Sequence, residues 1–80
     1  MKKILRFSAE WCQPCKMLAK NIDAAGITLP IEYIDVDEQG DLAAQYKIRG
    51  VPTLVLVEGG QEVKRVSGVK TVDELRAWAQ

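Results

Sequence analysis

The sequence predicts an α/β fold in the order β-α-β-α-β-β-α, a four-stranded mixed sheet flanked by helices. Three observations lead there. A strand, an amphipathic helix and a second strand succeed one another in the first half of the 80 residues, and a crossover helix between two strands implies a parallel, right-handed pair. In the second half two strand-like runs flank Gly59-Gly60, the pattern of a hairpin. The connections are only a few residues long, with no linker, repeat or low-complexity stretch, so one domain over residues 1–80 is expected.

Lys3 to Ser8 (KILRFS) is short and apolar and precedes a helix-start signal, so it is a strand; its one anomaly is Arg6. From Cys12 to about Ala25 the residues Cys15, Leu18, Ala19 and Ile22 fall at i, i+3, i+4 and i+7, the stripe of an amphipathic helix. Pro14 sits in its first turn, where a missing N–H leaves no bond unmade, and Gly26 ends it. Ile31 to Val36 is rich in β-branched and aromatic residues and makes the second strand. Asp41 to Tyr46 is too short to be helical alone, yet Leu42 and Tyr46 at i, i+4 suit a helix held by packing. Thr53 to Val57 is continuously apolar, as a strand covered on both faces must be. Gly59-Gly60 supplies the positive φ values of a tight turn, and Glu62 to Ser67 returns antiparallel. Thr71-Val72-Asp73-Glu74 is a capping box opening the last helix, whose face of Val72, Leu75, Trp78 and Ala79 places Trp78 in the core.

Composition narrows the function. With 48% hydrophobic and 28% charged residues the chain is ordinary for a folded domain. Eleven basic residues balance eleven acidic ones, so it lacks the basic surface that binds nucleic acid by releasing counterions. No stretch approaches the ~20 apolar residues of a membrane span, and no signal-peptide core follows Met1-Lys2-Lys3. A cytoplasmic monomer is expected. The absence of histidine removes the commonest general base, metal ligand and pH switch together.

The two cysteines, spaced C-x-x-C, offer four readings: a structural disulfide, half a metal site, buried thiols or a redox dithiol. A bridge closing four residues restricts the unfolded chain by only about 2 kcal/mol, a poor staple. A zinc site wants four ligands, and two thiolates without histidine supply half of one, so no metal is expected unless two chains share it. Burial accounts for Cys15, on the apolar stripe, but not for Cys12, which the spacing places at the exposed mouth of the helix. There the free N–H groups and the helix dipole stabilise a thiolate, and Cys15 one turn inside is set to attack the mixed disulfide that Cys12 makes. The redox reading is the one adopted.

Ala9-Glu10-Trp11-Cys12-Gln13-Pro14-Cys15-Lys16 resembles the active-site segment of the thioredoxin family, usually AEWCGPCK. Ile48-Arg49-Gly50-Val51-Pro52-Thr53 resembles the segment with that family's cis-proline, and Gly59-Gly60 and Ser67-Gly68-Val69 follow in the family's order. The resemblance runs from Ile4 to the end and implies a thioredoxin-like fold stripped of the leading strand and helix of full-length members, a minimal thioredoxin. It implies a cis Val51-Pro52 bond that turns the backbone of Val51 toward an extended substrate. Trp11, Val51, Pro52, Gly68 and Val69 would form a shallow apolar patch around the sulfur of Cys12. Gln13 stands where the family usually has Gly, and with Pro14 it influences the redox potential.

Arg6 stands where the family usually has a buried Asp that helps move the proton of the second thiol, and Tyr33 where a Lys partnering it is usual. Two readings of Arg6 follow. Either its stem lies on apolar surface with the charge carried to water or an acidic neighbour, or it lies under the dithiol and stabilises thiolate. Lys16 is a solvated charge and a weaker candidate for the same effect.

The activity so implied is protein-disulfide reduction: Cys12 attacks the disulfide of a protein partner, Cys15 resolves, and an NADPH-dependent thioredoxin reductase recharges the pair. Flavin and nicotinamide belong to that donor, and no cofactor is expected on this chain. The alternatives are a glutaredoxin-like enzyme recharged by glutathione, against which Trp11, Pro14 and Lys16 stand, and a non-enzymatic thioredoxin-fold interaction subunit.

Overall fold

The computed structural model describes residues 1–80. Its elements are β1 (Lys2–Ser8), α1 (Gln13–Ala25), β2 (Ile31–Asp35), α2 (Gly40–Gln45), β3 (Thr53–Glu58), β4 (Gln61–Ser67) and α3 (Val72–Trp78). The sheet order is β2-β1-β3-β4. β1 runs parallel to β2, with Ile4 opposite Ile31 and Arg6 opposite Tyr33, and antiparallel to β3, with Arg6 opposite Leu54. β3 and β4 form the hairpin, with a register irregularity between Leu56 and Val57. Gly59 and Gly60 turn it at φ 60° and 82°, a conformation side-chain-bearing residues rarely adopt.

Each element matches its expected place within a residue or so. β2 stops at Asp35, short of Val36, because the Asp35 carboxylate accepts the N–H of Asp37 at 2.8 Å and turns the chain.

Because successive strand residues point to opposite faces, β1 and β3 feed two cores. Ile4, Leu54 and Leu56 join Leu18, Ile22 and Ala25 of α1 and Leu75 of α3 on one side. Leu5, Phe7, Ile34, Val55 and Val57 gather on the other under Leu42, Ala43 and Tyr46. α2 buries no residue fully and holds on by half-buried side chains, the Tyr46 ring lying 5.7 Å from Phe7. Trp78 packs against the first core with Lys64 over its ring, and its buried indole N–H has no partner. Arg6 and Ser8 share the parity of Ile4, so they lie on the α1 side.

Side chains tie the two helices of that face together. Asn21 of α1 donates to the Lys70 carbonyl at 2.8 Å, and Arg76 of α3 donates to the carbonyls of Ala24 and Ala25, which the end of α1 leaves unpaired. The capping box of α3 is complete, Thr71 Oγ1 accepting the Glu74 N–H at 3.1 Å and Glu74 accepting the Thr71 N–H at 2.9 Å. That backbone bond, helped by the Thr71 side chain, holds the Glu74 carboxyl below the usual carboxylate range.

Candidate active site

The end of β1 and the start of α1 carry the cysteines. Cys12 is the N-cap of α1, with extended backbone (φ −92°, ψ 105°), and its Sγ accepts the N–H of Cys15 at 3.2 Å. This is the place of a capping Ser or Asp, with sulfur in the acceptor role. The two sulfurs form a disulfide with Cα atoms 5.3 Å apart. The Val51 carbonyl oxygen lies 3.8 Å from Cys12 Sγ.

One expectation is corrected here. Cys12 is not exposed: 4% of its surface reaches solvent, against 2% for Cys15. Ala9 packs with both cysteines, and Val36 and Val51 close over them from two other segments. The helix mouth is open in sequence but roofed in space. What separates the two sulfurs is direction: Cys12 lies against Val51, and Cys15 lines a cavity behind.

In front, Trp11, Val36, Ala43, Ile48, Arg49, Gly50 and Val51 line a groove of about 220 Å³. Trp11, 68% exposed, is pinned at its rim by Nε1–H donating to Asp37 at 2.8 Å. The Val51–Pro52 peptide is cis, as the resemblance implied. Its loop is fastened on both sides, Thr53 Oγ1 donating to the Gly50 carbonyl at 2.8 Å and the Gly68 N–H donating to the Pro52 carbonyl at 3.0 Å. That second bond brings the Gly68-Val69 turn beside Pro52, with Val69 40% exposed. Gln13 and Pro14 are exposed on the first turn of α1. Val36, Ala43, Ile48 and the anchor Asp37 were not anticipated. For Val36 the signal was an apolar residue left over just past β2; Asp37 carried none.

Behind, Arg6, Ser8, Ala9, Glu10, Cys15, Lys16, Ala19 and Tyr33 line a cavity of about 420 Å³. Of the two destinations offered for the Arg6 charge in the first reading, the acidic neighbour drops out. The guanidinium lies 4.7 Å from the centre of the Tyr33 ring, its partner across the parallel pair, and borders the same cavity as Cys15. Lys16 is exposed and borders it too. No group of three or more His, Cys, Asp or Glu is arranged to hold a metal ion, and no helix is long and apolar enough to cross a membrane.

Known proteins match throughout. The family model described as Thioredoxin matches residues 1–80. A thioredoxin of Chlamydia trachomatis serovar D is 41% identical over 75 residues, 90% of this chain and 74% of its own length. A Mycoplasma pneumoniae thioredoxin is 46% identical over 70 residues, 84% of this chain and 69% of its own. The rice thioredoxin H2-2 is 44% identical over 75 residues, and the match spans only 55% of its length. Among solved structures, a mutant thioredoxin of Halobacterium salinarum NRC-1 superposes with a TM-score of 0.88 at 38% identity, covering 98% of this chain and 71% of that one. The oxidised mitochondrial thioredoxin 3 of Saccharomyces cerevisiae gives 0.83 at 30%, covering 98% and 76%.

Proposed function

The chain belongs to the thioredoxin family and is a thiol–disulfide oxidoreductase, and from that premise we propose a division of labour between its two sulfurs. Cys12 is the nucleophile and Cys15 the resolving thiol. The observation that carries this is the capping bond: Cys12 Sγ sits at the N-terminus of α1, accepts the Cys15 N–H and lies beside the groove that Val51 and Trp11 line. A sulfur held by a helix N-terminus is favoured as thiolate once the bridge opens. The Cys12 thiolate attacks one sulfur of a protein disulfide, and the partner's other sulfur leaves as thiolate and takes up a proton. Cys15, deprotonated, then attacks Cys12 Sγ, re-forms the Cys12–Cys15 bond and releases the second partner thiol. Two electrons pass from the dithiol to the substrate.

The substrates are disulfide-bearing proteins, whose apolar side chains flanking the bond enter the groove between Trp11, Ile48 and Val51. Pro52 leads the chain on from Val51 with the Gly68-Val69 turn fastened beside it, and Gln13 and Pro14 set the first turn of α1. An NADPH-dependent thioredoxin reductase recharges the pair, and residues 1–80 act as one cytoplasmic, monomeric domain. The test is insulin reduction with each donor separately. Turnover with NADPH and the reductase, and none with glutathione and its own reductase, is expected. The reverse would establish the glutaredoxin-like alternative. Equal function of a partner complex after Cys12→Ser with Cys15→Ser would establish the non-enzymatic one.

A further inference from the structure

Disulfide exchange at the front groove leaves the rear cavity unexplained. It lies on the α1 side of the sheet, and its floor carries an arginine in the middle of β1, between the buried Leu5 and Phe7. A half-buried charge in an inner strand is costly without a paired anion, and the chain's ion pairs, Lys3–Glu32, Arg65–Glu62 and Arg76–Asp73, do not include Arg6. What fixes Arg6 is the Tyr33 ring, which holds the guanidinium beside the cavity that Cys15 also lines. The charged and titratable groups facing that cavity are Arg6 from β1, Glu10 from the following loop, Cys15 and Lys16 from α1, and Tyr33 from β2. Asp35, further along β2, has its Oδ1 committed to the N–H groups of Asp37 and Glu38. Two cations therefore border the cavity that Cys15 also lines, against one carboxylate, on Glu10, which is exposed.

We propose that Arg6, assisted by Lys16, holds the Cys15 sulfur as a thiolate for the resolving step, so that Cys15 needs no carboxylate base. This rests on the dithiol reading above. The Cys15 S–H proton passes to solvent water in the cavity, the thiolate forms its bond to Cys12 Sγ, and the bond from Cys12 to the partner breaks with the electron pair leaving on the partner's sulfur. Arg6 touches no substrate; it acts through Cys15. An opposite charge nearby shifts an ionisable group by about 1–3 pH units, and a half-buried guanidinium that shares only a cavity with the sulfur belongs at the low end, near one. Ten times more thiolate at neutral pH is partly offset, because nucleophilicity falls with thiol pKa at a slope of about 0.4–0.5. The net effect is about threefold at neutral pH, and it reverses once the thiol is fully ionised.

The test uses the reduced protein and a chromogenic aromatic disulfide, 5,5′-dithiobis(2-nitrobenzoate), in stopped flow across pH. A first thionitrobenzoate is released at a rate proportional to reagent, when Cys12 is captured; a second is released at a rate independent of reagent, when Cys15 resolves. Arg6→Gln is expected to slow the second release about threefold at neutral pH and speed it about threefold in alkali, so that the two profiles cross. Arg6→Lys should keep the wild-type profile. Superimposed profiles, or a constant factor at every pH, would overturn the proposal. So would slower second release in Glu10→Gln, which would make that carboxylate the base. Should Arg6→Gln fail to fold, Arg6→Met takes its place: burial of Cys15 by itself raises a thiol, so only the displacement between variants isolates the guanidinium, and a midpoint unchanged from wild type refutes the role of Arg6. A first release no faster than that of free cysteine would instead remove the dithiol reading itself.

Discussion

Leu75→Ala tests whether the short final helix belongs to the core or merely rests on it. Leu75 is 0% exposed and is the one fully buried side chain of α3, set among Ile4, Leu18, Leu54 and Leu56. Truncating a buried leucine costs about 2–5 kcal/mol, more where the surroundings cannot collapse. Here they are strand and helix residues already at or near zero exposure, which places the loss in the middle of that range, about 3–4 kcal/mol. An 80-residue domain holds only about 4–12 kcal/mol in total, so the variant forfeits a large share of it. With about 4–8 °C lost per kcal/mol at this size, Tm should fall by more than ~10 °C, and the urea midpoint should drop without a change in slope. Leu42→Ala, from the half-buried side of α2, should cost about 1–2 kcal/mol. Urea unfolding followed by circular dichroism gives both values. A loss below about 1 kcal/mol for Leu75→Ala, or a larger loss for Leu42→Ala, would refute the assignment of α3 to the principal core.

Cys15→Ser should accumulate a stable mixed disulfide with protein substrates on non-reducing gels, whereas Cys12→Ser should accumulate none and lose turnover. Reducing the Cys12–Cys15 bridge should lower stability by about 2 kcal/mol, the chain-entropy value for so short a loop, read from urea midpoints with and without reductant. Thr71→Ala should cost about 1 kcal/mol as a lost N-cap. Glu74, whose folded carboxyl titrates below its ordinary value, stabilises fully above the ordinary glutamate value of about 4.3 and loses that contribution as pH falls through its lower folded value. Glu74→Gln should therefore flatten that acidic stretch of the stability profile. Asn21→Ala orphans the Lys70 carbonyl and frees the turn next to Val69; stability should fall by about 1–2 kcal/mol, and KM for protein disulfides should rise while reaction with small aromatic disulfides holds.

Much of the fold could be read from local pattern, because each element announces itself within a few residues: the capping box at Thr71, the glycine pair at 59–60, the apolar run of β3. The chemistry of the cysteine pair was visible for the same reason, as the N-cap, the proline and the second thiol lie in one turn. What escaped depends on segments far apart in the chain. The burial of Cys12 is made by Val36 and Val51, and the anchor of Trp11 is Asp37, 26 residues away. Neither follows from the spacing around the cysteines. Arg6 was visible as an anomaly in its strand, but its partner was not. That Tyr33 lies beside it is a matter of parallel register, set by how α1 returns the chain.

The hairpin strand β4 lies on the rim of the sheet, where unsatisfied main-chain groups could template another polypeptide. Its seven residues include Glu62, Lys64 and Arg65, and its register with β3 slips once along the way. At the opposite rim Glu32 of β2 is held by Lys3. Fixed charge and a local bend are both devices that spoil rim-to-rim mating between identical molecules. Two of the four strands are edges, and these features oppose stacking into fibrils when the protein is crowded.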